Sequence, residues 1–183
     1  TYFMQDLSEE SFVRTSILFL KAYFDVDFRI VFWYRLYSYL YAGAFKQISI
    51  LMYFRVKSRY GIDIHPTSVI GGGLRLMHGF DVVIGPNVRI GKGCKIFNGV
   101  TLGKARPDNI EILMPEIGNF CILGAGSKIL GKLKIKDCSI VGANHVPRRR
   151  KDDIDAPDLL IRNVYEDYAK RMMALIKVEG NEN

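Results

Sequence analysis

Cysteine is scarce in this 183-residue chain. There are three, an odd number, with neither metal-type spacing nor a dense framework. A disulfide-stapled fold is not expected, and no metal is predicted. Long uncharged apolar runs are absent too. Lys21, Asp25, Asp27, Arg29, Arg35, Lys46 and Arg55 interrupt every candidate span, so no transmembrane helix is expected. Near the start, Asp6, Glu9 and Glu10 stand where a secretory leader would be basic, and no such leader is expected. Reduced cysteines fit a cytoplasmic setting. Acidic charge is in deficit: 19 Asp and Glu face 26 Lys and Arg, for a net charge of +7. Nucleic acid, an anionic membrane surface and a phosphorylated small molecule each complement that sign. The basic residues are dispersed except for one run, Arg148, Arg149, Arg150 and Lys151. No basic stripe interleaved with aromatics runs through the middle of the chain, so nucleic acid is not an expected partner.

What is present divides the chain into three. Residues 1–60 hold 17 of the 22 aromatics. Ser11–Tyr23 and Phe28–Tyr41 place apolar and charged residues at near-helical spacing, which predicts two or three amphipathic helices. Their aromatic stripe suits a core or an oligomer surface. A membrane-facing belt is the alternative for Trp33, Tyr34, Tyr37, Tyr39 and Tyr41, flanked by Arg29 and Arg35. Residues 148–183 form a basic loop and return to helical character, with Leu159, Leu160, Val164, Tyr168, Met172 and Leu175 able to line one face.

Between them, residues 61–147 repeat every six residues. One register runs Ile64, Ile70, Leu76, Val82; after a slip of two, a second runs Ile84, Ile90, Ile96, Leu102; a third runs Ile117, Leu123, Ile129, Ile135, Val141. Neither a helix nor a flat strand has that period, which marks a solenoid whose units bury their faces against their neighbours. Four residues after each anchor comes a small or apolar residue, among them Ser68, Phe80, Val88, Cys94, Val100, Cys121, Ser127 and Ser139. Cys94 and Cys121 therefore read as buried structural thiols. Glycine follows the anchor at Gly71, Gly85, Gly91, Gly103, Gly118, Gly124 and Gly142, where the chain must turn a tight corner. One segment, 104–116, breaks the period and carries two prolines. A loop inserted into a rigid solenoid commonly builds a site.

These hexads and their motifs resemble the left-handed parallel β-helix acyltransferases. The residues that carry the likeness are Gly61-Ile-Asp-Ile-His-Pro66, His78-Gly79, Val83-Ile84-Gly85, Gly99-Val-Thr-Leu-Gly103 and Leu123-Gly-Ala-Gly-Ser-Lys-Ile-Leu-Gly131. The branch looks like the serine acetyltransferases and their relatives that O-acetylate bacterial surface polysaccharides. The resemblance implies a mainly β fold, a triangular prism of short parallel strands with N-terminal helices and a C-terminal helix. It implies acetyl-CoA as cosubstrate, and a homotrimer or a dimer of trimers with sites between neighbouring prisms.

Acetyl transfer from a thioester to an alcohol needs a base for the hydroxyl proton and donors for the developing oxyanion. Histidine suits the first task. Of His65, His78 and His145, the resemblance puts the base at His78 and its carboxylate partner at Asp63, on successive coils. A polar corner residue and a turn former are the plain alternatives for these two. His65 reads as a corner-shaping residue and His145 as an inward structural one. By the same resemblance, Gly103, Gly124, Ala125 and Ala143 line the groove for the pantetheine arm. The coenzyme A phosphates need positive charge, for which Arg148 to Lys151, Lys128, Lys132 and Lys104 are candidates.

Three positions depart from the serine acetyltransferase pattern. Met77 stands where an aspartate precedes the base, and Leu113 and Met114 stand where an Arg-His pair precedes the loop proline. An amino-acid acceptor needs countercharges for its ammonium and carboxylate groups. Their loss favours a neutral, hydroxyl-rich acceptor. The expectation is an acetyl-CoA-dependent O-acetyltransferase acting on a sugar of a surface polysaccharide or its precursor, at the inner face of the membrane. The alternative is a serine O-acetyltransferase of cysteine biosynthesis. A non-catalytic β-helix scaffold is a third reading.

Overall fold

The computed structural model describes residues 24–105 and 114–147. The helix expected over Ser11–Tyr23, most of the interrupting loop and the C-terminal segment from Arg148 lie outside the described residues. Among the described residues two helices precede the repeat, α1 (Val26–Ala42) and α2 (Lys46–Tyr60). Asp25 caps α1, its carboxylate accepting from the backbone N–H groups of Asp27 and Phe28. Gly61 ends α2 in the left-handed conformation, φ 61°, its N–H returning to the Lys57 carbonyl.

The hexads then fold as short strands in three parallel sheets. The first sheet holds β1 (Asp63–Ile64), β4 (Val83–Ile84), β7 (Thr101–Gly103) and β10 (Lys128–Leu130). The second holds β2 (Val69–Ile70), β5 (Arg89–Ile90), β8 (Glu116–Ile117) and β11 (Lys134–Ile135). The third holds β3 (Arg75–Met77), β6 (Lys95–Phe97), β9 (Ile122–Leu123) and β12 (Ile140–Val141). Each coil visits the three sheets in turn, so the aliphatic anchors stack along the axis. Ile64 lies under Ile84, Leu102 and Ile129. Ile70 lies under Ile90, Ile117 and Ile135, and Leu76 under Ile96, Leu123 and Val141. Ile84, Ile96, Leu102, Leu123 and Ile129 are fully buried. Such ladders hold the prism together by apolar burial on one side of each two- or three-residue strand.

The two-residue slip proves to be a longer corner, residues 78–81. Its effect corrects two positions. Val82 joins the inward column of Val100 and Ser127 rather than the anchor column, and is fully buried. Phe80, expected inside, is 67% exposed. The extra residues push its ring out of the coil. Cys94 and Cys121 stack inside as free thiols, their sulfurs donating to the Gly118 and Lys136 carbonyls at 3.1 Å. The neighbouring Cys94 sulfur and burial push the Cys121 thiol up.

Backbone hydrogen bonds run between coils in both directions, to the coil above, as from Asp63 to Val82 and from Val83 to Val100, and to the coil below, as from Gly93 to Gly72 and from Gly99 to Phe80. The first coil has no coil beneath it, so its carbonyls that point to the open end of the prism need donors from elsewhere. Helix α1 lies there and supplies the missing donors. Tyr37 Oη reaches the Ile64 carbonyl at 2.6 Å and Tyr34 Oη the Ser68 carbonyl at 2.8 Å. Ser38 Oγ reaches Pro66, and the Arg35 guanidinium spans the Ile70 and Gly71 carbonyls. Tyr34, Tyr37 and Ile30 are buried, so Tyr34 and Tyr37 do not belong to a membrane-facing belt.

At the corner after the second strand of the first three coils, Gly71, Gly91 and Gly118 stack with no room for a side chain. A Cβ at Gly91 would lie 2.6 Å from the Asn119 nitrogen and the Gly118 carbonyl carbon. At Gly72 a Cβ would meet nothing within 4 Å. Gly91→Ala should therefore cost about 1–3 kcal/mol of stability in urea unfolding followed by circular dichroism. Gly72→Ala should stay within about 0.5 kcal/mol. Equal midpoints for the two would contradict the glycine stack.

Candidate active site

Asp63 opens β1 and His78 follows β3, so the pair belongs to one coil, not to successive coils. The coil closes on itself at the longer corner. The Asp81 N–H donates to the Gly61 carbonyl at 3.0 Å, and the Phe80 ring sits against Gly61. The corner bearing His78 thus lies over the residue two before Asp63. His78 itself is exposed and has φ 58°, and Asp81 has φ 53°. Left-handed backbone at non-glycine residues is costly and needs support from its surroundings. Here the support comes from α1. The Asp27 carboxylate accepts from the Gly79 N–H at 2.8 Å and the His78 N–H at 3.2 Å. A Cβ at Gly79 would lie 2.7 Å from that carboxylate oxygen, which is why glycine follows the histidine.

Asp63 is held from the other helix. Its carboxylate accepts from the Tyr53 hydroxyl and forms an ion pair with Lys57 at 2.6 Å. Burial, the hydrogen bond to Asp63 and its negative charge raise the Tyr53 phenol above the usual tyrosine range. Tyr53 therefore stays a donor at any physiological pH. The His65 ring stands edge-on to Tyr53 at 5.9 Å, and its Nδ1 faces the Thr67 hydroxyl at 2.8 Å. Burial lowers the His65 imidazole below its ordinary value, with Asp63 acting in the opposite sense.

The groove residues lie towards the other end of the prism. Gly103 ends β7, and a Cβ there would meet nothing within 4 Å. A chain of pantetheine type could lie against that open backbone. Gly124 is packed under the next coil, where a Cβ would lie 2.7 Å from the Ala143 nitrogen. Ala125 accepts from the Asn144 N–H through its carbonyl, and Ala143 is exposed. Lys128 lies back along its sheet, Nζ donating to the Gly99 carbonyl at 2.6 Å and the Thr101 hydroxyl at 3.0 Å. It braces the corner below rather than reaching outward. Arg148 lies outside the described residues. His145 tops the column of Val100 and Ser127; its Nε2 and the Ser127 Oγ are buried without a hydrogen-bond partner.

Sequence reasoning missed Asp27, Tyr53 and Lys57. They sit on helices, outside the repeat that draws attention to Asp63 and His78. Only the packing of α1 and α2 against the first coil brings them there. Met114 occupies the place expected for an acceptor-binding charge, and it packs against the core beside Gly85.

No family model matches the chain. It is similar to serine acetyltransferase of Buchnera aphidicola from Acyrthosiphon pisum, 32% identical over 132 residues, which are 72% of this chain and 46% of that protein. It is also similar to serine acetyltransferase of Helicobacter pylori, 43% identical over 86 residues, 47% of this chain and 50% of that protein. The chain spans about a third to a half of the length of the curated relatives it matches, from 32% to 50%. Among solved structures, serine acetyltransferase of Brucella abortus in complex with coenzyme A superposes with a TM-score of 0.65 at 30% identity, covering 70% of this chain and 51% of that one. The soybean serine acetyltransferase apoenzyme does so with a TM-score of 0.65 at 27% identity, covering 78% and 55%. With its stacked hexads, its corner motifs and these likenesses, the chain carries the left-handed parallel β-helix of the hexapeptide-repeat acyltransferases.

Proposed function

We propose that the chain is an O-acetyltransferase that uses acetyl-CoA, with His78 as general base and Asp63 as its supporting carboxylate. The observation that carries this reading is the exposed histidine on a braced left-handed corner, closed onto Gly61 two residues before Asp63. A relative's structure is a complex with coenzyme A. His78 would take the proton as the acceptor oxygen attacks the thioester carbonyl, and the imidazolium would return it to the departing thiolate. The open backbone at Gly103 would receive the pantetheine arm, with Gly124, Ala125 and Ala143 beyond it, and the copies of a homotrimer would close the groove.

Two acceptors are in competition. The relatives' names favour serine, the second of the two acceptors expected from the sequence. Met77 and the core-packed Met114 favour a sugar hydroxyl, since neither can hold an ammonium or a carboxylate group. A location at the inner face of a membrane suits α2. Ile48, Leu51 and Phe54 are exposed along it beside Lys46, Arg55 and Arg59, and the helix carries no acidic residue. Such a surface suits the interface of an anionic bilayer.

His78→Ala should lower coenzyme A release by about a hundredfold or more, with an unchanged thermal midpoint. Turnover at the level of the unsubstituted chain would remove His78 as the base. A thiol-release screen with acetyl-CoA should show serine or a glycan as the clear best acceptor. Saturable serine turnover would settle for the amino acid, and turnover confined to nucleotide sugars or oligosaccharides would settle for the glycan. In co-sedimentation, vesicles of phosphatidylglycerol and phosphatidylcholine should retain the protein at low salt, and Leu51→Glu should release it. Binding that ignores this substitution would rule out the α2 face.

A further inference from the structure

The N-terminal helices touch both proposed members of the catalytic pair, and they do so with charged or hydrogen-bonding side chains. From α2, Tyr53 and Lys57 together occupy both oxygens of Asp63. From α1, the two oxygens of Asp27 hold the backbone of His78 and Gly79. Each helix is itself fixed to the prism. Tyr34 and Tyr37 lock α1 to the first coil, and Ser49 of α2 donates to the Tyr37 carbonyl at 2.6 Å. The Tyr37 and Tyr53 rings also meet edge-on, with centroids 5.9 Å apart. The bracing is one connected unit.

We infer that α1 and α2 are part of the catalytic apparatus: Tyr53 and Lys57 are positioning residues that set the orientation of Asp63, and Asp27 is the positioning residue for the His78 corner. The inference rests on the proposed acetyltransferase reading. With one oxygen held by Tyr53 and the other by Lys57, the Asp63 carboxylate keeps one orientation. The two oxygens of Asp27 likewise fix the backbone from which the His78 side chain leaves. A proton transfer falls off steeply when its groups are free to turn away.

The test compares Lys57→Met, Lys57→Arg, Tyr53→Phe and Asp27→Ala with the unsubstituted chain in the thiol-release assay, with the thermal midpoint of each followed alongside. Lys57→Met and Tyr53→Phe should each lower kcat about tenfold, with KM nearly unchanged. Lys57→Arg, which keeps the ion pair, should restore kcat. Asp27→Ala should lower kcat by a similar factor.

Unchanged kcat in both Lys57→Met and Tyr53→Phe overturns the role given to α2, and so does a loss that Lys57→Arg does not restore, because loss of packing alone would give that pattern. Unchanged kcat in Asp27→Ala overturns the role given to α1. Should Tyr53→Phe fail to fold, Lys57→Met and Lys57→Arg, at a half-exposed position, decide the α2 question. If the unsubstituted chain releases no thiol with any acceptor, the acetyltransferase reading falls; an active chain with unaffected variants overturns the positioning role alone.

Discussion

The first coil of a parallel β-helix has carbonyls with nowhere to go, and this constraint organises the whole described structure. Hydrogen bonds along the prism satisfy every internal coil, but the last ring of acceptors at the open end must find donors elsewhere. Leaving such groups buried and unpaired would cost on the order of 1–3 kcal/mol each. Here α1 crosses that end with two tyrosines, a serine and an arginine, each donating to a carbonyl of the coil from Ile64 to Gly71. The same rings fill the end of the apolar column below Ile64 and Ile70. One helix thus closes both the polar rim and the hydrophobic interior.

That closure has a chemical consequence, because the capped coil is also the coil that carries Asp63 and His78. A helix that must lie against the rim brings its flanks next to the site. Asp27, in the first turn of α1, reaches the His78 corner, and α2, held through Ser49 and Tyr53, reaches Asp63. Capping and positioning are two results of one packing arrangement. The rest of the repeat tolerates change more readily. The segment interrupting the period between β7 and β8 leaves the ladder in register, with Leu102 still under Ile129 and Ile90 under Ile117. A loop leaving a corner disturbs nothing that the stacked coils hold between them, whereas the two extra residues at 78–81 re-aim Phe80 and expose His78.

The strand ladder was legible because its cause is local and repeated. An aliphatic residue every sixth position, a small residue four later and a glycine after the anchor are each required by the same coil, so each repeat confirms the last. The corner at 78–81 was legible only as a slip. Whether the extra residues enlarge a corner or shift a strand depends on which neighbour Val82 stacks with, and that is a contact between coils. Lys128 is a candidate for the coenzyme A phosphates by its charge, yet its amine folds back onto the Gly99 carbonyl and the Thr101 hydroxyl. Asp27, Tyr53 and Lys57 could not have been picked out, since nothing in an amphipathic helix distinguishes a residue that grips a distant carboxylate from one that faces solvent.

By itself, the sequence determined a solenoid of six-residue units, with its aliphatic anchors and glycine corners. These follow from a short period that constrains every coil alike, whereas the triangular prism and the pair Asp63 and His78 were put forward only by the resemblance to the acyltransferases. Only the tertiary structure decided that the pair shares one coil, that α1 caps the open carbonyls, and that both helices hold the pair in place. Those are contacts between segments whose separation along the chain obeys no period. They depend on how an aromatic helix meets the end of a prism, where hydrogen-bond supply and apolar filling have to be met at once.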